Sequence, residues 1–509
     1  MTFVRESVFK NGNDWDDTTL WYAKGVAALR QRPFTDRTSW RFLAAIHAWH
    51  DQLWQVLGYL DATEARPGRG DIDTYFSKCQ HGSWYFLPWH RGYLSAFERI
   101  VRAAIVAQGG PADWALPYWN YSDTANPAAR TIPAVFVRKA LPDGSPNALY
   151  TPFRFGDEQT GALSLTASEV RIDALREPRF GSDQRIAGGF GGGRWEVSHQ
   201  GRAPGMLEGT PHGDVHVAIG GSGVHQGQQV PGLMSSFVTA GLDPVFWLHH
   251  CNIDRLWEVW LKRNPAHANP ARPEWRGGPL DRRFVMPDEA GNPWKFACSD
   301  VIDTKAAPLG YVYDDTSDPL GDAAGLLESH SANGKSLVHE VDWEDRDTQL
   351  ISANEAALPI GTEGASARVP VPGATLLGAA ERMMAESVAP EAVERYFLLL
   401  DDIRGDENTA IYEVYVDYGE PGQMLPSGAP RESLVGTLST FGIATSDSEA
   451  PEADAGLSRL YNITPVVEQM GFDEVPDLES LHVRIVPVTQ NRAVAPPTIG
   501  RIAVYRETA

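Results

Sequence analysis

Cysteine is nearly absent from this chain: Cys79, Cys251 and Cys298 are all that 509 residues contain. Three cysteines make no disulfide framework. Long apolar runs are missing too, and nothing approaches the roughly 18 to 20 residues that cross a bilayer. Basic residues are outnumbered by acidic ones, 44 to 66, which gives a formal charge of −22. That argues against nucleic acid or an anionic membrane as partner, since both demand basic patches. The opening MTFVRESVFKNGNDWDD has no basic stretch followed by an apolar core, so no secretory leader is legible and a cytoplasmic location is expected. There is no internal repeat, and no low-complexity tract beyond a run of glycines around Phe190. What remains is an ordinary globular composition, 22% charged and 42% hydrophobic. A chain this long has the apolar matter for two domains or more, and a homo-oligomer is compatible with all of it.

Histidines carry the chemistry. Between Cys79 and Glu98 the sequence reads CQHGSWYFLPWHRGYLSAFE. His81 and His90 sit nine apart across an aromatic-rich turn containing Pro88, and His90 opens a helical pattern with Leu94, Phe97 and Ile100. Imidazole suits copper, zinc, iron and nickel, although two histidines among aromatics can equally be packed or hydrogen-bonded. Upstream, Trp40, Leu43, Ile46, His47, His50 and Leu53 fall largely on one helical face. His47 and His50 lie a turn apart, so either could face a site. Downstream, His212 and His216 are four apart and share a helical face, as a chelating pair requires. That pair alone is weak evidence and needs a third ligand. LDPVFWLHHCNIDRLW, Leu242–Trp257, offers His249 and His250.

These segments together resemble the two copper-binding signatures of the tyrosinase, catechol oxidase and haemocyanin family of type-3 copper proteins. In the first signature a histidine precedes Phe-Leu-Pro-Trp-His-Arg and a glutamate follows; here the positions are His81, Phe86 to Arg91, and Glu98. The family's first ligand stands in an Ile-His context, which selects His47 and leaves His50 to support or packing. The second signature is Asp-Pro-x-Phe, then a ligand histidine, then aspartate four residues on. That register implies His250 as ligand, His249 as a neighbour on the substrate side, and Asp254 as anchor. The resemblance therefore implies two copper ions, one held by His47, His81 and His90, the other by His212, His216 and His250. Cys79, two before His81, resembles the fungal branch, in which the cysteine sulfur is joined to the imidazole as a thioether. Glu208 matches a glutamate that handles the phenol proton through a water, and Phe237 a bulky gate over the first copper. Gly213 stands where many monophenol-hydroxylating members carry Asn, which bears on hydroxylase efficiency. Arg5 matches an arginine that packs on a downstream tyrosine motif, here Tyr311 and Tyr313.

The rest of the chain supplies the frame. A helix is expected around Asp16–Arg32, long loops over 124–206, and a polar linker over 316–345. Beyond it, segments such as RYFLLLDDI, AIYEVYVDYG, SLVGTLSTFGI and LHVRIVPV read as strands between Gly, Pro and Asp turns. The expected class is thus α+β and multidomain. Residues 1–315 form a mainly helical catalytic domain with a four-helix-bundle dicopper core, and 346–509 a β-sandwich or jelly roll that shields the site. The implied activity is oxidation of phenols by O2: hydroxylation of monophenols and conversion of o-diphenols to o-quinones, latent until the C-terminal domain moves. Catechol oxidation alone is one alternative and a haemocyanin-type reversible oxygen carrier another. Carriers act as large extracellular assemblies, so the unseen leader and the lack of disulfides favour the enzyme. A mononuclear zinc hydrolase would leave the first histidine set unexplained.

Overall fold

The computed structural model describes residues 2–157, 160–181, 189–195, 201–278, 284–321, 347–354, 356–371, 376, 394–405, 410–418, 432–443, 456–472, 480–488 and 497–508. Helices come first, and several begin where the sequence can cap them. Asp16 caps α1 (Asp17–Arg30): its carboxylate accepts from the Thr19 amide at 2.8 Å, and Thr19 Oγ1 accepts from the Asp16 amide at 3.1 Å. Ser39 caps α2 (Trp40–His47) by accepting from the Phe42 amide. That helix stops at His47, where Ala48 turns extended, so the expected continuous face from Trp40 to Leu53 is broken. α3 (Asp51–Val56) starts afresh with His50 as its cap, the exposed imidazole Nδ1 accepting from the Leu53 amide at 3.1 Å. His50 neither packs in the core nor supports the site, and this corrects its expected role.

α4 (Arg69–Tyr75) leads into α5 (Phe86–Ala107). This helix begins four residues before His90, with Pro88 in its first turn, where amides have no helical partner in any case. His90 therefore lies in the second turn and does not open the helix. α6 (Asp214–Gly220) follows a turn, Glu208–Gly213, in which Thr210 leaves helical geometry. α7 (Phe237–Ala240) and α8 (Pro244–Arg263) come next. Asp243 caps α8 through the Val245 amide at 2.9 Å and is ion-paired to buried Arg154 at 2.6 Å. α9 (Pro273–Arg276) is short. Phe97 of α5 stacks on Trp247 of α8, centroids 3.5 Å apart and planes at 9°. Gly92 lets α5 approach the Phe296 ring, which a Cβ would meet at 2.1 Å.

Strands in this half are few. β1 (Phe3–Arg5) pairs in parallel with β6 (Tyr311–Tyr313), and the hairpins are β2 (Ser222–His225) with β3 (Gln228–Pro231) and β4 (Phe284–Pro287) with β5 (Pro293–Phe296). Pairing puts Arg5 opposite Tyr313. Its guanidinium reaches Glu98 at 2.7 Å, Asp254 at 3.3 Å and the Tyr313 hydroxyl at 3.0 Å, and lies over the Tyr311 ring. Asp254 also accepts from Arg91 and both tyrosine hydroxyls, so burial does not win there: Arg91 and Arg5 hold its carboxyl below the usual range. From Asn120 to Gly205 the described residues hold no strand or α-helix, only the short 3-10 turns Ala134–Phe136 and Asp173–Arg176 and the isolated bridges Thr131–Ser164 and Ala140–Pro146. Of the expected linker, residues 316–321 lie along α8, with Arg263 paired to Asp318 and Lys262 donating to Thr316; the remainder is outside the described residues.

The C-terminal half is sheet-rich. β7 (Asp347–Asn354), β8 (Leu358–Pro359), β10 (Arg395–Arg404), β13 (Leu457–Asn462) and β15 (Thr498–Thr508) form one antiparallel sheet, ordered β13-β10-β15-β7 with β8 on β15. β9 (Ala365–Pro370), β11 (Ile411–Asp417), β12 (Ser433–Ser439) and β14 (Ser480–Pro487) form a second, ordered β12-β11-β14-β9. Both contribute to one buried core that includes Leu398, Leu400, Val414, Val483 and Val504, with α10 (Thr464–Phe472) against it. β10 runs apolar without alternating, because it is buried on both faces. Tyr396, Leu398 and Leu400 enter the shared core, while Arg395, on the other face, turns toward Glu177 of the helical half. Ile411 and Phe441 leave the sheet core and join the core of the helical half. No helix among the described residues is long and apolar enough to cross a membrane.

Candidate metal centre

Seven buried histidines converge between α2, α5, α6 and α8. His47 ends α2 and donates from Nδ1 to the Phe237 carbonyl at 3.0 Å. His90 donates from Nδ1 to the Phe86 carbonyl, one turn back, at 2.8 Å, and His212 to that of Glu208 at 3.0 Å. His216 reaches across to the Met234 carbonyl at 2.7 Å. A carbonyl has no proton to give, so each of these rings carries its hydrogen on Nδ1 and keeps the lone pair on Nε2. Nε2 of His90 and of His212 has no hydrogen-bond partner among the described residues. Two buried nitrogen lone pairs without a donor are what a metal ion would accept as ligands.

The rings fall into two adjoining trios. His47, His81 and His90 have centroids 5.2 to 5.8 Å apart; His212, His216 and His250 are 4.7 to 5.4 Å apart. The trios touch where His90 stacks on His250, 4.5 Å apart at 12°. His250 Nε2 lies 3.2 Å from His216 Nε2, a distance at which two lone pairs repel unless a proton or metal sits with them. His249 is close as well: one donor atom each from His212, His216, His249 and His250 lies within 4.8 Å of the others. Its ring contacts are His212, His216, His250 and Tyr121. A second such group joins His47, Cys79 and His81. Burial pushes the His90 imidazole down to about 3, and those of His212, His216, His249 and His250 well below their ordinary value. Neutral imidazoles are the form that binds metal, and the donor set fits two ions.

Around the rings the wall is aromatic. Phe237 stacks on His81 at 4.3 Å, Phe86 lies between His90 and His212, and Phe246 packs on His250 at 4.2 Å. A small cavity opens onto His81 and His212 and is lined by Glu208, Phe237, Phe441 and Arg459 among others. Glu208 Oε1 accepts from the Gly82 amide at 2.7 Å. Burial pushes its carboxyl up to about 7, against that amide and the charge of Arg459. Gly213 faces the sheets: a Cβ there would meet Ser439 Oγ at 2.6 Å.

The sequence missed Phe441 and Arg459. Phe441 lies parallel to His216 and edge-on to Phe237 at 4.5 Å. Buried Arg459 of β13 donates to the Phe441 and Ser458 carbonyls at 3.3 and 3.2 Å. The run SLVGTLSTFGI reads as a single strand, whereas β12 ends at Ser439 and Phe441 sits in a turn with Gly442 at φ 87°. The Phe-Gly step was the signal available.

The family model described as "Common central domain of tyrosinase" matches residues 37–263, and a model described as a domain of unknown function matches 347–507. A tyrosinase of Hahella sp. (strain CCB-MM4) is 30% identical, over 97% of this chain and 97% of its own. A chloroplastic polyphenol oxidase of Malus domestica is 24% identical, over 92% of this chain and 72% of its own. Among solved structures, latent apple tyrosinase superposes with a TM-score of 0.59 at 21% identity, covering 99% of this chain and 97% of its own. That likeness extends through helices and sheets alike.

Proposed function

The chain belongs to the tyrosinase family, with a C-terminal extension, and is a copper-dependent enzyme of phenol oxidation; from that premise we propose that it both hydroxylates monophenols and oxidises o-diphenols. His47, His81 and His90 would hold one copper and His212, His216 and His250 the other. The observation that carries this assignment is the pair of buried trios, in each of which two rings are aimed by backbone carbonyls: His47 and His90 in one, His212 and His216 in the other. Bound there, a copper pair supplies reversible two-electron exchange with dioxygen.

The chain's own residues do the rest. Phe237 and Phe86 form the apolar wall against which a phenol ring packs, and Phe237 gates the first trio. Glu208, held by the Gly82 amide, takes the phenol proton through a water. In monophenol turnover one oxygen atom enters the ring and the other leaves in water; two catechols together reduce one dioxygen to two waters. Cys79, with its sulfur close to His81, forms the thioether that fixes that ring. His249 shapes the substrate side of the second trio, and Arg5, Tyr311, Tyr313 and Asp254 hold α5, α8 and both chain segments of the small β1–β6 sheet together.

Residues 1–315 act as the catalytic domain, with α2, α5, α6 and α8 as a bundle around the coppers; 316–345 is the linker and 346–509 a sandwich or jelly roll that shields the site through Phe441. Phenols and O2 are the small-molecule partners, and a homo-oligomer is compatible with this reading. Oxygen uptake by the copper-loaded protein, with a monophenol and separately with its catechol, tests the activity. Turnover of both supports the proposal; catechol alone makes the enzyme a catechol oxidase. Reversible oxygen binding without turnover, even once the sheets are displaced, makes it a carrier.

A further inference from the structure

Four buried charges meet where the sheets rest on the helical half. Glu177 and Arg179 follow the 3-10 turn Asp173–Arg176; Arg395 and Glu507 face each other in the register of β10 and β15. Arg395 Nη2 donates to Glu177 Oε2 at 2.6 Å, Arg179 donates to Glu507, and Arg395 Nη1 lies 3.6 Å from Glu507. None of the four side chains is more than 8% exposed. Each half contributes one positive and one negative group, and both short pairs cross the seam. Asn462 of β13 adds an amide 3.5 Å from Glu177, whose backbone carbonyl is held by Trp260 of α8. Elsewhere on the seam Arg171 donates to the Leu434 carbonyl at 3.2 Å, and the Thr210 and Thr437 hydroxyls meet at 2.7 Å. The sheets thus hold to the helices by an interface of their own, independent of residues 322–346.

Buried ion pairs add little net stability when whole, but removing one partner strands the other charge in an apolar seam. Their use is to specify what fits and in which register. We propose that Glu177 and Arg179 form a two-charge socket for Arg395 and Glu507, and that this socket keeps the sheet unit bound as an inhibitory partner after the connecting segment is cut. The inference rests on the shielding reading above. A cut in the linker alone does not open the site; a cut together with the loss of one socket charge does.

The test uses the full chain with a specific protease site placed between residues 330 and 335, cut, passed over a non-denaturing sizing column and assayed with a catechol after copper loading. The wild-type pieces co-elute and turn over within about twofold of the uncut protein, whereas Glu507→Gln pieces separate and turn over at least about tenfold faster, as a freed competent fraction requires. Glu507→Gln is absent from the freed helical piece, so that piece matches wild type. Arg179→Gln combined with Glu507→Gln restores co-elution, since no charge is then stranded. Cooperative melting before cutting shows that each variant folds; should Glu507→Gln not fold, Glu177→Gln makes the same test from the other side. Wild-type pieces that part on cutting and become active overturn the socket, as do Glu507→Gln pieces that stay joined and inactive. Pieces that separate yet remain inactive overturn the shielding reading instead.

Discussion

The ring of Phe441 lies parallel to that of His216, with centroids 4.0 Å apart and planes at 12°. A side chain from the sheet half thus covers one face of an imidazole in the second trio, and under the shielding proposed above that cover keeps a substrate ring out. Offset stacking of this kind adds about 0.5–1.5 kcal/mol beyond the area it buries. Phe441→Ala in the full chain is expected to raise catechol turnover by about tenfold or more, since observed activity scales with the open fraction. Unchanged turnover, in a protein that still melts cooperatively, would count against Phe441 as the shield.

Gly213 makes a separable prediction. A side chain there collides with Ser439 on β12, so Gly213→Asn should lift the sheets as well as alter the substrate side. In the wild-type background it should raise catechol turnover; in the Phe441→Ala background that gain should largely vanish. A change in the monophenol-to-catechol ratio that appears equally in both backgrounds would assign Gly213 to substrate choice and not to docking.

His250→Ala is expected to lose about one copper per chain, because its Nε2 sits with that of His216 between the trios. His249→Ala should keep both. Metal analysis of the two variants decides the register, and the reverse result would move the ligand to His249.

Intact-mass measurement checks the thioether. Protein loaded with copper under oxygen should be two hydrogens lighter than its sequence, and Cys79→Ala should abolish the difference. A full-weight wild type would remove the thioether from the account.

Acid should destabilise the metal-free protein. His90 is held down to about 3 by burial and four neighbouring imidazoles are depressed as well. Below their ordinary value near 6.5 the unfolded chain takes up protons that the folded one refuses. The stabilisation is therefore complete above about pH 6.5 and is lost progressively toward pH 3, at about 1.4 kcal/mol per pH unit for each such group. Melting of the apoprotein should fall steadily from pH 7 to pH 5, with the copper-loaded protein melting higher throughout. A flat apoprotein profile over that range would refute the buried-neutral description.

What the sequence made legible was local. His81 and His90, His212 and His216, and His250 with Asp254 lie at short fixed spacings that one helix or one turn can enforce. Apolar periodicity runs on through Ala48 to His50, yet there the backbone turns extended and a new helix begins, which periodicity alone does not reveal. The strand runs of the C-terminal half were visible as strands, but not which face of β10 would meet the helices. Phe441 on His216, Arg459 beside Glu208, and the Glu177–Arg395 and Arg179–Glu507 pairs bring together residues more than two hundred positions apart. No local pattern encodes such a meeting; it exists only once two halves have been brought together.

The carbonyls that aim His216 and His47 belong to Met234 and Phe237, three residues apart on one short segment. The two half-sites are therefore geared together. A shift of that segment by a fraction of an ångström would swing one imidazole in each trio at the same moment, so under the ligand assignment proposed above it would reach both metals together. Variation that drifts toward a new substrate must leave Met234 to Phe237 in place, or carry both coppers along.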